Sequence, residues 1–156
     1  MLTALSVLTC LGAAVIGGVF YAFSSFVMQA LAQLPPAQGV AAMQRINVVV
    51  LNPPFLGVVG GTALLALVAA AVAAFAWSTP RFLLLSCGSL LYLLGVIGVT
   101  GRGNVPLNER LGRLDPAAPE TAAEWTSYVA AWMRWNHLRT AAAVAAAACF
   151  AVAPLS

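Results

Sequence analysis

Between Glu124 and Arg139 the chain reads EWTSYVAAWMRWNHLR, which gathers three of the four tryptophans, the single histidine and two of the seven arginines. Wound as a helix at about 100° per residue, Trp125, Tyr128, Trp132, Trp135, Asn136 and Arg139 share about a third of the circumference. His137 points roughly 100° away from Asn136 on the same ideal helix. Amide, imidazole and guanidinium groups are the donors and proton carriers from which ligand and acid–base sites are made. Spacing alone leaves a second reading open, an aromatic belt at a membrane surface with a snorkelling arginine.

Composition decides the surroundings of this stripe. The 156 residues are 62% hydrophobic and only 7% charged, with a mean hydropathy of +0.96, whereas soluble domains carry about 25% charged residues. This is the composition of an integral membrane protein forming one domain over residues 1–156. A net charge of +3 from seven arginines, with no basic run, is no footprint for nucleic acid. Cys10, Cys87 and Cys149 stand far apart in apolar runs and have neither zinc nor dithiol spacing. The N-terminal apolar run lacks a basic flank and is too long for a signal peptide, so it is read as a span.

The expected fold is all-α, an integral membrane four-helix bundle with a short extra helix in the first loop and a long, projecting last helix. Spans are expected at about 2–34, 55–77, 82–100 and 138–153, with extramembrane helices at about 39–51 and 120–137. Pro35 and Pro36 end the first helix, Asn52-Pro53-Pro54 opens the second span, and residues 78–81 form a tight turn. Gly12, Gly17, Gly18, the Gly57/Gly61 pair, Gly88, Gly95 and Gly98 are small-residue faces for helix packing, and they leave homo-oligomers open. Ser24 and Ser25 are expected to bond back to their own helix. Residues 101–119 read as a polar loop. Four spans place that loop, the first loop and the head of the last helix on one side with six of the seven arginines, which makes this side cytoplasmic in a multi-pass cell-membrane protein.

The topology gathers the polar residues. Asn47, Asn52, Asn104, Asn108, Asn136, His137 and Arg139 reach one membrane face, over a hollow walled by Trp125, Trp132 and Trp135, as in a mostly apolar ligand site with a few convergent polar groups. One histidine cannot complete a closed zinc site; His137 with Glu109 or Glu124 gives at most an open one. A haem would find only one axial ligand, and Ser127 is not placed for a serine–histidine pair.

Four pieces of the chain resemble the anthrone oxygenase-like (noranthrone monooxygenase-like) family of small four-span membrane proteins: FYAFSSFVMQAL from Phe20, AMQRINVVVLNPPF from Ala42, GNVPLNERL from Gly103 and WTSYVAAWMRWNHLRT from Trp125. The resemblance implies oxidation of an anthrone-type aromatic ketone by O2 without an organic cofactor. His137 would then be the base, since histidine exchanges protons nearest neutral pH. Asn136 and Arg139 would stabilise the anion. Trp132, Trp135 and Trp125, with Asn47, Asn52, Asn104 and Asn108, would bind the substrate. The partners implied are an apolar aromatic molecule and the lipid bilayer, with O2 as co-substrate and no bound metal, a metal recruited from several subunits remaining open. Two rival readings use the same residues: a ligand-binding or transport protein, and a non-catalytic packing subunit. No carboxylate or lysine lies within the expected spans to carry a proton relay for transport.

Overall fold

The computed structural model describes residues 2–75 and 79–155, and every regular element among them is helical. Four helices are long and apolar enough to cross a membrane: α1 (Leu2–Ala32), α3 (Pro53–Phe75), α4 (Pro80–Gly112) and α5 (Thr121–Leu155). The short α2 (Pro36–Val49) lies in the first connection. The all-α, four-span expectation holds, with shifted boundaries. Pro36 opens α2 at its first turn, where a missing N–H costs nothing, so that helix begins three residues earlier than expected. The expected end of the second span at Trp77 lies outside the described residues. α4 is already helical at Thr79, inside the stretch read as a turn.

The main correction concerns residues 101–112, expected as loop and found as the continuation of α4. A proline normally breaks a helix by losing a bond and pressing on the carbonyl four residues back. Here Thr100–Asn104 form a wider turn with i→i+5 bonding, in which the Val105 N–H reaches the Thr100 carbonyl. Pro106 follows at once, so the wide turn accommodates the ring and the helix runs on to Gly112. A similar wide turn occupies Phe23–Val27 of α1.

These lengths divide the molecule into two storeys. The 23 residues of α3 extend about 34 Å at 1.5 Å each, close to the roughly 30 Å hydrocarbon thickness. The Tyr92 hydroxyl donates to the Val59 carbonyl at 3.2 Å, fixing α4 beside α3. Beyond that contact α3 has six residues left before Pro53, whereas α4 has twenty before Gly112. α2 fills the place that α3 leaves, packing on α5 and on the ends of α1 and α4. Gln44 ties it there by donating to the carbonyls of Leu111 (2.9 Å) and Leu114 (3.0 Å) at the end of α4.

Each storey has its own apolar core. In the membrane storey Ala13, Ile16, Ala66, Ala69, Tyr92, Ala143, Ala146 and Phe150 pack together. In the other, Met28, Val40, Met43, Leu111, Trp125, Tyr128 and Trp132 do. α5 runs through both, and its buried stripe changes character on the way, from Trp125, Tyr128 and Trp132 to Ala142, Ala143 and Ala146. Small residues let the helices approach. A Cβ on Gly95 would stand 2.5 Å from the Ala142 Cβ, and one on Gly17 would stand 3.3 Å from that of Ala143. A Cβ on Gly18, Gly57, Gly60 or Gly61 would meet nothing within 4 Å, so the expected Gly57/Gly61 face is open among the described residues.

This difference is testable at equal residue type. Gly95→Val should destabilise the bundle by about 1–3 kcal/mol through overpacking, while Gly60→Val should be nearly neutral. Reversible unfolding in mixed detergent micelles reads both, and equal losses would contradict the packing.

Candidate functional site

The polar groups collect where the two storeys meet. Arg139, only 6% exposed, lies between the cores, with its guanidinium 4.2 Å from the centre of the Phe20 ring and 5.3 Å from that of Trp132. Its Nη2 donates to Asn136 Oδ1 at 2.8 Å and its Nη1 to Thr100 Oγ1 at 3.3 Å, while Nε has no partner. Arg110 pairs with Glu124 out at the α4–α5 connection, and among the described residues no carboxylate pairs with Arg139. A buried cation without a counter-ion is costly, by several kcal/mol before hydrogen bonds and ring faces compensate.

Asn136 is completely enclosed, and its amide is fully committed. One Nδ2 hydrogen goes to the Phe20 carbonyl at 2.9 Å and the other to Ser24 Oγ at 2.8 Å, while Oδ1 accepts from Arg139. Asn136 is therefore a strut between α1 and α5 and has no donor left for a ligand. Ser24 is the hub on α1. Besides Asn136 it meets His137 Nδ1 at 3.0 Å and Thr140 Oγ1 at 3.0 Å. The distance of His137 from the tryptophan stripe is thus real, and it is bridged: His137, Ser24, Asn136, Arg139 and Thr100 form one hydrogen-bonded chain across α1, α5 and α4. His137 is the exposed end and Arg139 lies in the interior.

A second network sits one turn further out. Asn108 Oδ1 accepts from the Tyr128 hydroxyl and from Trp132 Nε1, both at 2.9 Å. Asn47 on α2 approaches the same hydroxyl, with its buried Nδ2 unpartnered. Asn104, 1% exposed, donates to the Trp132 carbonyl at 3.3 Å and leaves its buried Oδ1 unpartnered. The structure therefore brings Asn47, Asn104, Asn108, Trp132, Asn136, His137 and Arg139 together.

Three expected members stand differently. Asn52 caps α3, with its Oδ1 accepting from the Phe55 N–H at 2.9 Å and its Nδ2 donating to the Val49 carbonyl, and makes no contact with the cluster. Trp125 is buried, stacked on Tyr128 with ring centres 5.6 Å apart, and pressed on Gly39. Trp135 is 37% exposed and packs on Gly103 of α4, on the flank of α5 opposite His137. Trp132 packs on the Phe23 ring, with centres 5.5 Å apart. Neither a cavity of about 300 Å³ over Arg45, Val49 and Asn52 nor one of about 30 Å³ beside Leu111 and Tyr128 is lined by tryptophan. Of the three expected walls, Trp125 and Trp132 are buried and Trp135 stands at the surface.

Sequence reasoning passed over Ser24, Thr100, Thr140 and Phe20. Ser25 does bond back to the Tyr21 carbonyl at 2.7 Å, as expected of both serines. Ser24 escapes that pattern in the wide turn of α1, for which the sequence carries no simple signal. Among the described residues no group of three His, Cys, Asp or Glu side chains could hold a metal ion.

A family model described as anthrone oxygenase matches residues 55–149, more than half of the 156 residues. The match takes in α3, α4 and most of α5, and so includes Asn104, Asn108, Trp132, Asn136, His137 and Arg139; Ser24 and Asn47 lie before it. No curated protein and no solved structure shows significant similarity to the chain. With more than half its length and the α5 half of the polar cluster inside that match, the chain belongs to the anthrone oxygenase family.

Proposed function

We propose that the chain is a membrane-embedded oxygenase that converts an apolar, anthrone-type ketone to the corresponding quinone with O2, through a carbanion generated by His137. One observation carries this reading: an exposed imidazole is hydrogen-bonded, through Ser24 and Asn136, to a buried cation that has no counter-ion. Removing a methylene proton alpha to an extended aromatic ketone leaves an enolate-type anion. The imidazole accepts that proton, and the unbalanced charge of Arg139 stabilises the anion from behind. For scale, opposite unit charges about 8 Å apart attract by about 2 kcal/mol at an effective dielectric of about 20, or roughly thirtyfold in rate.

The anion passes one electron to O2, the resulting radical pair joins as a peroxide anion, and this takes the proton back from the His137 imidazolium to give the hydroperoxide. Loss of its remaining C–H proton, with cleavage of the O–O bond, gives the new carbonyl and one water. One O2 is consumed per substrate, and the substrate supplies every electron, so the balance requires no flavin, nicotinamide or metal. Apolar substrate and oxygen both concentrate in the bilayer and would reach His137 along the α1–α5 flank. Trp132, with Asn104 and Asn108, holds the inner wall that keeps Arg139 dry. The exposed arginines Arg45, Arg102, Arg110, Arg113 and Arg134 all lie in the α2 storey, which under the positive-inside rule supports a cytoplasmic orientation for it.

Purified protein in detergent, given an anthrone under air, should form quinone with one O2 taken up per molecule. His137→Ala should lower turnover by about 10² to 10⁴, the usual range for a lost general base; equal turnover by the variant, or none by the wild type, would overturn the assignment. Arg139→Gln should lower kcat by about thirtyfold with less change in KM, because its charge acts on the anion and not on the neutral substrate. Exhaustive treatment with chelators should leave turnover unchanged, read on the same sample by metal analysis and rate.

A further inference from the structure

We infer that Ser24 is a positioning residue that fixes the tautomer of His137, keeping the proton on Nδ1 and the lone pair of Nε2 free at the exposed face; this rests on the proposed role of His137. The argument is a count of protons. Four contacts meet around Ser24 and Thr140: Asn136 Nδ2 to Ser24 Oγ at 2.8 Å, Ser24 Oγ to Thr140 Oγ1 at 3.0 Å, Thr140 Oγ1 to the Asn136 carbonyl at 2.8 Å, and His137 Nδ1 to Ser24 Oγ at 3.0 Å. Each needs one hydrogen. The amide of Asn136 supplies one, since its other hydrogen is on the Phe20 carbonyl. Thr140 has a single hydrogen, and only it can fill the contact with the Asn136 carbonyl, which is an acceptor alone.

That leaves the Ser24 hydrogen and two contacts. If Ser24 donated to His137, its oxygen and that of Thr140 would face each other at 3.0 Å with no proton between them. If Ser24 donates to Thr140, the last hydrogen must come from His137 Nδ1, and all four contacts are filled. The orientation of Asn136 that starts the count is itself fixed, because Arg139 can only donate to it and the Phe20 carbonyl can only accept. The hydrogen bond at one ring nitrogen thus determines the state of the other.

The consequence is chemical. With Nδ1–H inside, Nε2 is the basic atom, and among the described residues it has no hydrogen-bond partner. Taking a proton at Nε2 gives an imidazolium whose Nδ1–H bond to Ser24 is unchanged, so no inner contact rearranges during proton transfer. Such preorganisation is where an enzyme gains over water.

The chain has a single histidine, so 15N-histidine labelling of the full chain in micelles gives the two ring nitrogens of one residue. At alkaline pH the wild type should show Nδ1 protonated and Nε2 bare, the reverse of the order preferred by free histidine. Thr140→Val removes the acceptor for the Ser24 proton and should swing the tautomer toward Nε2–H; Ser24→Ala should do the same, and Ser24→Thr should restore the wild-type pattern. A wild type with Nε2–H, or a Thr140→Val spectrum unchanged from it, would overturn the inference. These readouts involve no turnover, so an inactive protein with the expected spectrum counts against the proposed reaction alone. Should Ser24→Ala fail to fold, the wild-type and Thr140→Val spectra still decide.

Discussion

A guanidinium without a counter-charge, enclosed among hydrocarbon side chains, is the constraint around which the other elements are arranged. Charged groups in such surroundings survive where ring faces, hydroxyls and amides replace water. Arg139 obtains these from three helices: Phe20 from α1, Thr100 from α4, and Asn136 and Trp132 from its own helix. None can move without exposing the charge to an unfavourable contact. Arg139 therefore fixes the register of α1, α4 and α5 at one level, and the register positions Ser24 and His137.

The two-storey build follows from the same residue. Below Arg139, α5 presents alanines, and glycines on α1 and α4 let the backbones close in, with Ser89 and Tyr92 hydroxyls bonded to backbone carbonyls of α3. Above it, Trp132, Tyr128 and Trp125 spread the helices, and α2 enters the widened space. The polar layer sits where one spacing gives way to the other. Wide turns occur at this level, Phe23–Val27 on α1 and Thr100–Asn104 on α4, and α4 is also widened at Leu91–Gly98 within the membrane storey. The first carries Ser24, and the second begins and ends with Thr100 and Asn104. Such turns alter which residues share a helix face, which lets two long helices meet a third both in the close-packed storey and in the splayed one.

That also explains what could be read from the residues in order. The four apolar runs and the α5 stripe are periodic signals, and Trp125, Trp132, Asn136 and Arg139 all face inward as a regular wheel places them. Asn52 followed by two prolines announced a cap, and it is one. Helix α4 beyond Thr100 was illegible because its Gly-Arg-Gly-Asn-Val-Pro run has the composition of a loop, and only tertiary packing makes it helix. Ser24 was illegible for a related reason: a 100° wheel does not anticipate a turn with i→i+5 bonding. Trp135 was read on the same stripe as Trp132, yet it lies at the edge of that stripe, where a few tens of degrees decide between core and surface.

The separation of His137 from Arg139 is what the proposed chemistry requires. A base must be reachable, so an imidazole buried beside a cation would serve poorly, its protonated form opposed by like charge at close range. A fixed positive charge must be dry, because water would screen it. Placing the imidazole outside and the guanidinium inside satisfies both conditions, provided something rigid connects them. Asn136 is that connection, with every amide atom held by protein: Arg139 on its oxygen, Phe20 and Ser24 on its nitrogen. An asparagine that touches no ligand thus sets the distance between the base that would and the charge held behind it.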